Sequence, residues 1–200
     1  MDYELHLTVN TNEVERFKAV CSTLGVKPIV IDLQDRTGNT VFHDVMTSSK
    51  FHGPTPMVES KRIADGLKSH NFEVIRCKIE VPPWDPAVPR HPGDLNKGYF
   101  ESHIRILTNE GRIPELRSLA TKHELHVSRN IFKRLENGMI YIMITLRSDG
   151  PTVFHFQNYV DTILDILEAH KFVYDKNEVE YVVYDSNKDH DKAWIDAGVS

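Results

Sequence analysis

Apolar and polar positions alternate through YELHLTV at residues 3–9, the period of a strand with one buried face. The period lengthens in NEVERFKAVCSTLG, where Val14, Phe17, Val20, Cys21 and Leu24 recur at helical spacing and Gly25 supplies the stop. KPIVIDL is predicted as a second strand and, after a turn at Arg36 to Asn39, TVFHDVMTS as a third. Pro54 opens a predicted helix with Met57, Ile63, Ala64 and Leu67 turned inward, and EVIRCKIEV closes the series. The order is strand, helix, strand, strand, helix, strand.

The same order returns. SHIRIL, the helix IPELRSLATKHE, strands LHVSRNIF and MIYIMITL joined through Asn137-Gly138, a helix from Thr152 to His170 and the strand EVEYVVYD follow in turn. His6 and His103 match at an offset of 97, which also relates Met46 to Met143 and Gly53-Pro54-Thr55 to Gly150-Pro151-Thr152. KSHNF and EAHKF match three positions later. The expected fold is therefore α+β, a tandem duplication of a ferredoxin-like βαββαβ unit with both helices of each unit on one sheet face. Repeat 1 spans residues 1–81, a semi-rigid linker with five prolines spans 82–98, repeat 2 spans 99–185, and 186–200 is a polar tail in which Trp194 and Ile195 are a candidate anchor.

Strand parity then selects candidate site residues. With Leu5, Leu7 and Val9 under the helices, His6 and Thr8 fall on the uncovered face, and His103 and Arg105 do so in the second repeat. Lys78, Arg76 and Glu80 join the first set, and Thr145 and Arg147 the second, although IRCKIE fits two registers. His6 and His103 are the candidate acid and base, and Thr8, Lys78, Arg105, Thr145 and Arg147 the candidate ligand-binding groups. The competing reading is that two polar faces pack together and satisfy one another.

Composition trims the options without naming a reaction. A formal charge of −5 argues against general binding to a nucleic-acid backbone. No apolar run reaches the roughly 20 residues of a membrane span, and the N-terminus lacks a signal-peptide pattern, so a cytosolic protein is expected. Two cysteines, Cys21 and Cys77, give no disulfide framework. GxGxxG, P-loop, GxSxG and CxxC patterns do not occur. SRN at 128–130 and MTSSKFHG at 46–53 are candidate anion cradles at strand ends. DSNKDHD spaces Asp185, Asn187, Asp189 and Asp191 as a calcium loop does, but His190 stands where the loop needs glycine, and a solvated acidic tail is expected.

Three resemblances add to this picture. HLT and HIR resemble the HxT motifs of two-histidine phosphoesterases, which implies one imidazole acting as base and the other as acid, with Arg105 departing from the Thr or Ser of that motif. HLTVNTNEVERFKAVCSTLGVKP resembles the opening strand and helix of a glyoxalase-type module of vicinal-oxygen-chelate proteins, which implies a metal set of His6, Glu80, His103 and Glu180. The helical pattern of IADGLKSHNF departs from that module. YFESHIRIL, VSRN, VIRCKIE, EYVVYDSN and AWID together resemble a family of duplicated α+β proteins that carries no assigned activity. The leading expectation is binding, with hydrolysis as an option, of a small anionic or phosphorylated ligand by the paired histidines. A non-catalytic regulatory or assembly module, including a homo-oligomer, and a metal-dependent chelate-type enzyme are the alternatives, and no cofactor is specified.

Overall fold

The computed structural model describes residues 1–34, 40–130, 135 and 138–191. The turn at 36–39, Asn137, Trp194 and Ile195 lie outside the described residues. The chain runs β1 (Asp2–Val9), α1 (Val14–Leu24), β2 (Lys27–Gln34), β3 (Thr40–His52), α2 (Pro56–Ser69), β4 (Val74–Val81), then β5 (Tyr99–Asn109), α3 (Ile113–Lys122), β6 (His126–Asn130), β7 (Met139–Ser148), α4 (Val153–Ala169) and β8 (Val173–Asp185). The eight strands form one closed antiparallel barrel in the order β1-β3-β2-β6-β7-β5-β8-β4. Within it, β4-β1-β3-β2 and β8-β5-β7-β6 each have the strand order of a ferredoxin-like unit. The seams β2–β6 and β4–β8 join them, so the polar faces expected to be uncovered become the barrel interior.

Helix periodicity explains why the apolar side faces outward. Val153, Phe156, Val160, Ile163 and Leu167 make a buried stripe along α4, and Phe17, Val20 and Cys21 do so on α1. Each pair of helices covers its own core on the outer side of the strands. One core holds Leu5, Leu7, Val9, Phe17, Ile63 and Leu67, and the other Phe100, Ile104, Ile106, Phe156 and Ile163. Burial pushes the Cys21 thiol up to about 12, as expected of a small buried hydrophobe.

Several boundaries differ from expectation. Helix α2 begins at Pro56 instead of Pro54, and Met57 in its first turn is 49% exposed instead of inward. Residues 46–52 do not form a loop but prolong β3, where Leu7 N–H donates to Thr47 Oγ1. The proline-rich segment is tied down at several points: Val153 N–H donates to Pro89 O, Asn96 Nδ2 to Gly150 O, and Val88 is 3% exposed. A Cβ at Gly98 would sit 2.0 Å from Val182 O, so only glycine fits where this segment enters β5. Past β8, Ser186, Lys188 and Asp189 are exposed, and the segment is tied back to the barrel at its two ends. Ser186 Oγ accepts from Cys77 N–H, and His190 Nε2 meets Asp44 Oδ1 at 3.1 Å.

Candidate functional site

Register places the interior side chains. Glu4, His6 and Thr8 of β1 face Glu80, Lys78 and Arg76 of β4, which resolves the two registers open to IRCKIE. On the other side Glu101 and His103 of β5 face Arg147 and Thr145 of β7, and Glu180 and Glu178 of β8. A register shift between Ile79 and Glu80 changes the parity of β8, so Asp185 also turns inward.

The two ends of the interior differ in exposure. At the buried end Thr8 and Arg76 are 3% and 5% exposed, and Lys188 Nζ lies over the Tyr99 ring. There Arg76 makes a two-pronged pair with Asp185 at 2.7 and 3.0 Å, and Tyr99 O–H donates to the same carboxylate at 2.6 Å. Burial works against the Asp185 charge, but the Arg76 and Tyr99 hydrogen bonds outweigh it and hold its carboxyl below the usual carboxylate range. Asp185 is thus occupied by Arg76 and Tyr99. Exposure rises toward the other end, where Arg105 pairs with Asp175 at 2.7 Å and lies over the Tyr141 ring.

Between the ends the two histidines approach one group of charges. His6 Nε2 lies 2.9 Å from Glu80 and 3.6 Å from Glu4, and His103 Nε2 lies 3.8 Å from Glu180 and 3.7 Å from Glu101. Thr145 Oγ1 meets His103 Nδ1 at 3.0 Å, which fixes that ring. Lys78 Nζ stands between Glu80 at 2.7 Å and Glu101 at 2.6 Å, and Arg147 grips Glu101 at 2.6 Å. Glu80, His103 and Glu180 bring one ligand atom each within 4.8 Å of one another, the described grouping with metal-ligand chemistry.

Electrostatics divides these carboxyls. Burial opposes the charges of Glu80 and Glu101, yet Lys78, aided by His6 for one and Arg147 for the other, holds Glu80 well below its ordinary value and Glu101 at about 2. Burial likewise opposes the Lys78 ammonium, and Glu101 and Glu80 outweigh it. Glu180 has burial and the charges of Glu80 and Glu4 acting together, and its carboxyl rises to about 9. Burial lowers His103, leaving a neutral imidazole near neutral pH.

The candidates from sequence therefore separate. His6, Lys78, His103, Thr145 and Arg147 come together in the central group. Thr8 sits at the buried end, and Arg105 at the more exposed end holds Asp175. Glu4 and Glu101 were missed, although Glu-x-His occurs on both first strands, as ELH and ESH.

No family model matches the chain, and no curated protein matches it. Among solved structures, the acetolactate synthase small subunit from Thermotoga maritima is 13% identical, with 92% of this chain and 95% of that chain covered and a TM-score of 0.32. Chlorite dismutase from Candidatus Nitrospira defluvii in complex with imidazole is 9% identical over 92% and 91%, with a TM-score of 0.31. A heme-binding protein from Thermus thermophilus is 14% identical over 97% and 94%, also at 0.31. Similarities at this level carry no argument. No helix among the described residues is long and apolar enough to cross a membrane.

Proposed function

We propose that the protein is a small-molecule-binding barrel, derived by tandem duplication of a ferredoxin-like unit, whose ligand sits among His6, Glu80, His103 and Glu180. The convergence of both histidines on one group of carboxylates carries this reading. Eight strands enclose just enough space for side chains or one small ligand, and the His103 side chain is 27% exposed, within reach of solvent. Burying Glu80 and Glu101, with Glu4, Glu180 and two imidazoles partly buried around them, is costly, and apolar packing would serve stability better, so such a lining is the mark of a site.

The ion pairs bear on the ligand's charge. Lys78, Arg147 and Arg105 each already hold a carboxylate, so a small anion competes with tethered partners at every one of them. The groups open to a ligand are the Glu180 carboxyl, which accepts or donates according to its proton, and the His103 ring. A neutral or cationic polar molecule suits them better than the phosphorylated ligand expected from sequence. His6 and His103 remain the acid and base should turnover occur.

Thermal denaturation against a panel of neutral, cationic and anionic metabolites tests this. A ligand at about a hundredfold its Kd adds roughly 2.7 kcal/mol. The expected result is stabilisation by a neutral or cationic compound that His103→Gln removes. Stabilisation by phosphorylated compounds that depends on Arg147 restores the anionic reading, and no response across the panel removes the ligand site.

A further inference from the structure

Building on the interior as a binding site, we propose that Glu80, His103 and Glu180 hold one divalent first-row transition ion. The three residues come from strands that are adjacent in the barrel, β5, β8 and β4, and all face inward. Their ligand atoms lie within 4.8 Å of one another. Around a four-coordinate ion with bonds of about 2.1 Å, ligand atoms stand about 3.4 Å apart, a contraction that side-chain rotation supplies without moving the strands.

Two observations beyond the clustering point the same way. Glu80 is 1% exposed, and each of its carboxylate oxygens has one partner, Lys78 Nζ at 2.7 Å on one and His6 Nε2 at 2.9 Å on the other. A carboxylate oxygen accepts at two lone pairs, so one partner apiece leaves a lone pair on each for coordination. The second is charge: among the described residues, Glu4, Glu80 and Glu101 outnumber the permanent cations Lys78 and Arg147, and an ion that displaces the Glu180 proton would face four carboxylates against two cations, an excess that a dication matches. His6, against Glu80, then orients a ligand carboxylate in the way that outer partners do at metal sites.

Donor type selects the ion. Calcium takes six to eight oxygen donors and magnesium keeps several waters, whereas one imidazole with two carboxylates suits zinc, iron, manganese or cobalt. The incomplete set of three protein donors leaves room for a further ligand, as in metal sites that present an open position to a small molecule.

The test uses the full chain, stripped with a chelator and titrated with Zn2+, Co2+, Mg2+ and Ca2+ by calorimetry, with visible absorption for the cobalt form. One equivalent of Zn2+ or Co2+ should bind, Co2+ should show the absorption of a four- or five-coordinate site, and Mg2+ and Ca2+ should bind far more weakly. Glu180→Gln and His103→Gln should each weaken Zn2+ by tenfold or more, on the order of what a lost site interaction costs. His52→Gln, in an exposed pair with Asp2, should bind as the wild type does. Glu180→Gln removes a carboxyl whose ion-pair contact is the long 3.8 Å one to His103 and should stay folded, as melting in chelator would verify. Absence of one-equivalent binding, or binding that survives both substitutions, overturns the metal site. Running the metabolite panel in chelator reads ligand binding separately, so either idea can fail alone.

Discussion

Both halves of the barrel set a first-strand histidine against a closing-strand glutamate, and they hold the pair differently. His6 stands 2.9 Å from Glu80, whereas His103 stands 3.8 Å from Glu180. The difference traces to one register position. The residue across from His6 on β4 is Lys78, and the one across from His103 on β8 is Glu178. Lys78 neutralises Glu80 and Glu101 and tightens the first half, while Glu180 is left beside like charges with its proton retained. One half thus has a settled ion-pair frame, and the other keeps a carboxyl and an imidazole in looser contact, the pair to which the proposed ligand is assigned.

Removing the lysine should break that contrast most severely. Lys78→Met leaves Glu80 and Glu101 buried without their shared cation and should cost about 3–5 kcal/mol in urea unfolding. Adding Glu101→Gln should recover part of the loss, and a cost under about 1 kcal/mol for the single variant would show that the charge asymmetry is unimportant. Next in size is the seam between the halves. Asp185→Asn should cost about 2–3 kcal/mol at neutral pH, the scale of a hydrogen bond to a charged group. Because its folded pKa is depressed, the Asp185 contribution is complete above the unfolded value of about 3.9 and disappears as pH falls through the folded value. The stability gap between wild type and Asp185→Asn should accordingly be flat above about pH 5 and narrow below about pH 4. A gap that widens in acid contradicts the assignment.

How much of this was legible turns on range. Alternation in YELHLTV and SHIRIL put the interior histidines on the correct face, because strand parity is local. Helical spacing was equally plain in α1 and α4. Closure was not, since the seams β2–β6 and β4–β8 join residues that no local pattern links. Without closure the Ser186–His190 segment reads as a solvated tail, and the register shift at Glu80 conceals that Asp185 shares a face with Glu180. Glu101 escaped for a different reason: a glutamate flanking a strand histidine is an ordinary surface residue unless a lysine from the other half, here Lys78, lies across from it. Met57 followed the apolar rule outward, where scattered apolar residues are normal.

Smaller effects sharpen the comparison. In chelator, Glu180→Gln should stabilise the protein by about 1 kcal/mol, while Glu80→Gln destabilises it, so equivalent substitutions in the two halves act with opposite sign. The Glu180 carboxyl is raised in the folded state, so the wild type loses stability relative to Glu180→Gln as pH climbs from about 4.3 toward its folded value. Melting curves at pH 5 and pH 8 should show the advantage of the variant growing with pH, and an advantage that shrinks contradicts it. Arg105→Gln, which breaks the half-exposed pair with Asp175, should change stability by less than about 1 kcal/mol and leave Zn2+ binding intact.

The central claim is that both histidines serve one interior site. Side-chain nitrogen NMR of the imidazoles, assigned with His6→Gln and His103→Gln and followed through titration with the best compound of the metabolite panel, addresses it directly. The expected result is that the His6 and His103 resonances move together and saturate at one equivalent, while those of exposed His52 and His70 stay still. Movement confined to exposed histidines, or of only one of the interior pair, would contradict a shared site.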